Sequence, residues 1–584
     1  MKRCPECRRD YFDDTLLYCL EDGVALIQGS VPVSVGEMDE PATAILSEPH
    51  GSAGSLDPSE ASTKPKVETT DETDILPLET GDATSGSSVF NQKFVISYAL
   101  LAIVILGGLF GYRYVSSSTN SSKQIESIAV LPFENQSSDP NTDYLSDGVT
   151  ESIINSLTQL PNLKVTARSS VFRYKGKETD PFLVGKQLGV RSILVGRVLQ
   201  RGDSIFISTE LLDVRDNTQL WGGQYSKKMA DLLLVQRDIA KEITGSLSLQ
   251  LSASDQNRLV KNYTENTEAY ELYLKGRFFW NARTEDGIRK GIDYFQQAIA
   301  KDPTYALAYV GLADSYSALT FPTGALAPRE AMPLAKDAAM KALAIDNTLS
   351  EAHASLASIK FYYDWDWPGA ETEFQRAIEL NPDNADAHHS YSHYLMAMGR
   401  TDESLTQSLR CLDLEPVNIL FNVHLGWHYL YARQYDQAVI ALQKSLELSP
   451  NFAQAHHWLG LAYEQQGRSS EAITELQKAI TLLRGSSLVE AELAHVLAVS
   501  GKKDAAQKEL ATLIETAKRA YVPAYHIAAI FARLGEKDQA FVWLDKAYDE
   551  RSDFLVNLKR EQKFDHLRDD PRYKEMLKRM NLPE

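Results

Sequence analysis

One spacing recurs through the second half of this chain and restricts its fold more than any other feature. Gly399, Gly467, Gly501 and Gly535 fall at multiples of 34 residues, and Arg433 holds the one intervening slot. Ser404, Ala438, Ala472, Ala506 and Ala540 step by the same 34, as do Pro382, Pro416 and Pro450. Such a period describes a small helical hairpin that cannot bury its apolar face alone and must stack on its neighbours. The residue types fit that geometry. Gly460, Ala494 and Ala528 on one helix, and Ala438, Ala472 and Ala506 on the other, let two antiparallel helices approach closely. The periodic glycines permit a φ > 0 turn between them, and the prolines end the second helix.

The pattern is similar to the tetratricopeptide repeat, which implies an α-α solenoid. Roughly eight units are expected between 265 and 555, with an insertion around "TFPTGALAPREAMP". The resemblance further implies that the first helix of each unit lines the concave side. Aligned on "FAQAHHWLGLAYEQQGRSSEAITELQKAI", it directs His389, His393, Trp427, Tyr431, His457, Leu461 and Gln465 into a groove suited to an extended peptide or a helix. His389 and His393 are spaced i, i+4, as are His424 and His428. Metal ligation is conceivable there. With no carboxylate motif nearby, packed or peptide-contacting histidines are the preferred reading. The charged, amphipathic segment 556–584 is expected to cap the last open face.

Ahead of the repeats, residues 125–252 carry a different pattern. "SIAVLPF" has the look of a buried strand, and "DYLSDGVTESIINSLTQL" has helical spacing. "LKVTARSSVF" and the long run "SILVGRVLQRGDSIFISTELLDVRDNTQLWGGQYS" read as strands broken by turns, with "RGD" as a hairpin turn. The order β, α, β, α, hairpin and meander suggests a small layered α/β domain. "IAVLPFENQSSDPNTDYLSDGVTESIINSL" and "VGKQLGVRSILVGRV" also resemble the TolB amino-terminal-like, or FlgO-like, domain. That resemblance implies a non-catalytic extracytoplasmic module. Asp147, Gly148 and Glu151 open the first helix, where the dipole favours carboxylates, so a structural role is expected of them.

The amino-terminal fifth adds three further pieces. "FVISYALLAIVILGGLFGYRYV", within 93–115, has no charge from Phe94 to Tyr112, enough for a single transmembrane helix. Residues 27–92 hold twelve Asp or Glu against two Lys and read as a disordered acidic linker. "CPECRRDYFDDTLLYCLED", within 1–26, resembles a zinc-ribbon-like head. Cys4 and Cys7 form a C-x2-C pair, Cys19 adds a third thiolate, and Asp22 stands where a fourth cysteine would be, with Glu21 or a water as its substitute. One structural zinc is the cofactor this implies; a loose knuckle is the alternative. Thiolates that ligate metal persist in a reducing compartment. This puts the amino terminus in the cytoplasm and the carboxy-terminal domains beyond a bacterial inner membrane.

Net charge of −19 argues against nucleic acid as a partner. No phosphate loop, kinase motif, HExxH or nucleophile elbow is present, so no enzyme is expected. The multidomain layout also resembles bacterial membrane sensors that join a TolB-like domain to tetratricopeptide repeats. It suggests a single-pass membrane scaffold or sensor that binds protein or peptide partners and is compatible with homo-oligomers. A transcription-linked regulator acting through the knot, or an envelope assembly or export factor, are the alternatives.

Overall fold

In the computed structural model, the described residues are 2–3, 10–11, 27–28 and 125–582, the last without 138, 161–162, 248, 250, 253–254, 257–262, 321–324 and 484–485. The expected membrane segment 93–115 and the candidate ligands Cys4, Cys7, Cys19 and Asp22 lie outside them. Among the described residues no helix is long and apolar enough to cross a membrane. The chain divides into two units, 1–92 and 93–584.

In the first unit, Lys2–Arg3 pairs antiparallel with Asp10–Tyr11 on one side and Ile27–Gln28 on the other.

The second unit opens with a mixed sheet. Lys164–Val165, Ser127–Val130 and Ser192–Arg201 run parallel, and Ser204–Asp213 and Thr218–Lys228 continue it antiparallel. Ile128, Ala129 and Val130 are buried on both faces, as a central parallel strand requires. Arg201 pairs with Ser204, so the "RGD" tripeptide is a tight hairpin turn with Gly202 at φ 58°. Helices Asp143–Leu157 and Leu232–Ser246 pack together beside the sheet.

Among the described residues eight helix pairs follow, from Thr267–Trp280 with Glu285–Lys301 to Ala524–Leu534 with Lys537–Glu550. Caps begin several of them: Asn266, Thr284, Asn384 and Asn418 each accept a hydrogen bond from a backbone N–H of the first turn. Ala438, Ala472, Ala506 and Ala540 are fully buried at the helix crossings. Gly399, Gly467, Gly501 and Gly535 adopt φ of 75° to 89° between the two helices, and Arg433 takes the same left-handed turn at φ 60°. The third pair breaks the pattern. Its first helix, Ser350–Ile359, runs into a wider π turn at Lys360–Asp364, and Trp365 reverses the chain at φ 59°.

The α/β domain and the repeats share one core. Tyr270, Leu274, Tyr305 and Ala308 of the first two pairs cluster with Val149, Ile153 and the sheet. Gly148 makes this approach possible, since a Cβ there would lie 2.8 Å from Leu274. Beside it, buried Glu151 holds two guanidinium groups, Arg168 of the α/β domain at 2.8 Å and Arg277 of the first pair at 2.7 Å. This carboxylate therefore joins domain to solenoid. Asp147, one turn earlier, pairs with Lys175 at 2.7 Å within the α/β domain.

The tail does more than cap the eighth pair. Leu555, Val556, Phe564, Leu567, Tyr573 and Met580 share a core with Tyr525 and Leu544 of that pair and also with Phe361, Trp367 and Phe374 of the third. Trp367 Nε1 donates to the Met580 carbonyl at 3.0 Å. The solenoid therefore curls until its eighth pair and tail meet its third.

Candidate functional site on the inner face of the repeats

First helices of successive pairs lie side by side and form the inner face. Ala385–Ala397 carries His389 and His393, and Ile419–Tyr431 carries His424, Trp427, His428 and Tyr431. Ala453–Gln465 carries His457, Leu461 and Gln465, and Ser487–Val499 carries Glu492. The seven groove residues named from sequence are thus on neighbouring helices. They do not line an open groove. His393, Trp427, His457 and Leu461 are buried, and His389, Tyr431 and Gln465 are half-buried.

Over Tyr431, Leu461 and Gln465 the cover is the chain's own tail, whereas His389, His393 and Trp427 pack among rings of neighbouring helices. Tyr431 Oη donates to Glu561 at 2.8 Å, Tyr435 Oη donates to Gln562 at 3.1 Å, and Gln562 Nε2 donates to the Leu430 carbonyl at 3.2 Å. Lys563 Nζ reaches Glu492 at 2.6 Å. Arg560 donates to the Gly399 carbonyl at 3.1 Å. A crevice stays between Tyr431, Leu461, Gln465 and the stretch Arg560–Lys563.

Electrostatics divide this face in two. Around Glu492, burial pushes the carboxyl up, but Lys563 and His526 outweigh it and hold the group well below the usual carboxylate range. His526 Nδ1 lies 3.0 Å from Glu492. His457 is lowered to about 4, by burial first and by the Lys563 charge, against the pull of Glu492. Around His389 no carboxylate competes. Burial lowers His389 to about 3 and takes His393, His424 and His428 well below the ordinary histidine value, with the neighbouring imidazoles adding to it. These four rings are neutral and hydrogen-bonded. His389 Nε2 lies 2.7 Å from His424 Nδ1, and His393 Nε2 lies 3.1 Å from the same atom. His428 Nδ1 turns away to Ser408 Oγ at 2.5 Å.

Sequence reasoning paired the histidines along each helix and missed the meeting of His424 with His389 and His393. It also missed Glu492 and Lys563. The histidines carried a signal: His389 and His424 are 35 residues apart, one step off the repeat length, which sets them side by side on adjacent first helices. Lys563 carried none, because it lies beyond the periodic segment. Cys411 is a buried core residue.

Comparison with known proteins agrees with the repeat architecture. Two tetratricopeptide-repeat family models match, over residues 424–487 and 373–406, and this part of the chain is built of those repeats. Residues 123–242, the α/β domain, match the second domain of HilA/YgeH-like transcriptional regulators. A protein of Rhizobium meliloti (strain 1021) named putative adenylate cyclase 3 is 34% identical over 189 residues, 32% of this chain and 32% of its own length. The chain therefore spans about a third of that relative. Among solved structures, PilF of Pseudomonas aeruginosa is 20% identical over 38% of this chain and 94% of its own, with a TM-score of 0.29. YrrB, described as a tetratricopeptide-repeat protein with an unusual peptide-binding site, is 19% identical over 33% and 95%, with a TM-score of 0.24.

Proposed function

We propose that this chain is a non-catalytic scaffold that gathers protein partners through the inner face of its repeats. The observation that carries the reading is the occupant already there. Arg560–Lys563 runs across neighbouring first helices, held by side chains and by the Leu430 and Gly399 carbonyls, as a peptide ligand would be. A partner peptide with a similar acidic–amide–basic order would use Tyr431, Gln465, Leu461 and Glu492, with Trp427, His389, His393 and His457 supporting them from below. The finer parts of the proposal rest on sequence. They are a single membrane pass at 93–115 with the amino terminus cytoplasmic, a head holding one structural zinc on Cys4, Cys7, Cys19 and Asp22, and a TolB-like module beyond the membrane.

A photo-crosslinking residue placed at Gln465 of the full chain in native membranes tests this. One or a few defined proteins, lost when excess competitor peptide 556–567 is added, are expected. Adducts to the chain's own tail alone would overturn it. A second reading is favoured by the HilA-like match over 123–242: a transcription-linked regulator. Under that reading the crosslinked partners belong to the transcription machinery.

A further inference from the structure

Three imidazole nitrogens converge on the inner face without a carboxylate among them. One ring nitrogen from each of His389, His393 and His424 lies within 4.8 Å of the others, and His389 Nε2 and His393 Nε2 are 2.7 and 3.1 Å from His424 Nδ1. A tetrahedral zinc ion with nitrogens at 2.0–2.1 Å sets its ligands about 3.3 Å apart, so the two separations to His424 lie within about 0.6 Å of that spacing, and side-chain rotation of His389 and His393 closes the third edge of the triangular face. The rings come from two packed helices. His389 and His393 project one turn apart from Ala385–Ala397, and His424 comes from Ile419–Tyr431.

Hydrogen bonding alone serves this cluster poorly. His424 Nδ1 has one in-plane lone pair or one proton, yet two nitrogens approach it. A cation takes up all three lone pairs at once. Tyr362 already stands as an outer partner, its Oη 2.9 Å from His393 Nδ1. With His393 Nε2 on a metal, Nδ1–H donates to that oxygen and fixes the ring, as outer-shell partners of metal-bound histidines do. The Phe421 ring packs against His389 with centroids 4.7 Å apart, and Trp427 borders His393 at 4.6 Å. These aromatic rings supply no lone pair to a metal, so a fourth ligand would be water or an incoming group.

We propose that His389, His393 and His424 form a binding site for a zinc-class divalent cation with one open coordination position. Imidazole ligands without oxygen donors select zinc, copper or nickel over magnesium and calcium. The site is independent of the cysteine head, and it shares His389 and His393 with the proposed partner-binding face.

The test uses the full chain, stripped with chelator and titrated with Zn2+ and Co2+ by calorimetry and visible spectroscopy. To remove the head's contribution, the background carries Cys4→Ser, Cys7→Ser and Cys19→Ser. One equivalent of zinc should bind, and Co2+ should give the d–d bands of a nitrogen–oxygen tetrahedral site with no thiolate charge-transfer band. His424→Gln should abolish saturable binding while leaving the helical circular dichroism intact, and Tyr362→Phe should weaken it about 10-fold. Zinc should raise the thermal midpoint of the parent but not of His424→Gln. No bound equivalent in the cysteine-free background, or equal affinity in parent and His424→Gln, would overturn the proposal.

Discussion

Lys563 brings its ammonium to within 2.6 Å of Glu492 in a place where both side chains are nearly inaccessible to water. Removing one partner of such a pair leaves the other charge buried, which costs about 3–5 kcal/mol. Lys563→Met should therefore destabilise the chain by about 3 kcal/mol in urea unfolding, and adding Glu492→Gln should recover most of it. Glu415 is a second buried acid, accepting hydrogen bonds from Ser169 of the α/β domain and from Asn418 at 2.6 Å. Burial, with Asp386 nearby, pushes its carboxyl up to about 7. The protonated form is the one the fold favours. Its contribution is complete below the ordinary carboxylate value and disappears as pH rises through about 7. Relative to Glu415→Gln, the parent should thus lose on the order of 3 kcal/mol between about pH 4.5 and 8. Unfolding curves of both proteins at several pH values check the sign.

At the scale of a helix pair, two kinds of glycine do different work. Gly467 sits at φ 75° with open space around the missing Cβ. Gly467→Ala should cost only the left-handed backbone penalty, about 1 kcal/mol. Gly460 is an ordinary helical residue whose Cβ would lie 2.8 Å from Leu476 and 3.1 Å from the Ala472 carbonyl. Gly460→Val should push the two helices apart and cost about 1–3 kcal/mol, more than the turn substitution. Thermal midpoints of the two variants separate turn strain from helix packing. Arg433 shows the turn can tolerate a side chain where it gains a partner, here Asp565 at 2.8 Å.

For the whole molecule, the tail is the closing element. It seals the eighth pair, covers the inner face and reaches the third pair through Trp367. Truncation after Arg551 should leave the helices largely formed, because each pair packs mainly on its neighbours. It should also uncover Trp367, Phe374 and Tyr525, so dye binding to exposed apolar surface should rise sharply and unfolding should become less cooperative. An unchanged dye signal and midpoint would show that the tail is not needed to complete the core.

The repeat period, the crossing alanines and the left-handed glycines were legible in the chain itself, because each depends on contacts a fixed and short distance away; the sheet domain was legible through the local strand and helix patterns of its elements, although its central strands pair across 37 and 64 residues. Histidines 389, 393 and 424 were visible singly but not as a set, since their meeting depends on how adjacent hairpins pack. The burial of Trp427, His457 and Leu461, the Glu492–Lys563 pair and the Trp367 contact to Met580 span from tens to more than two hundred residues and follow no period. Only the accumulated curl of eight stacked pairs decides which distant surfaces touch. Local spacing therefore determined the building block, and the tertiary structure decided what its inner face encloses.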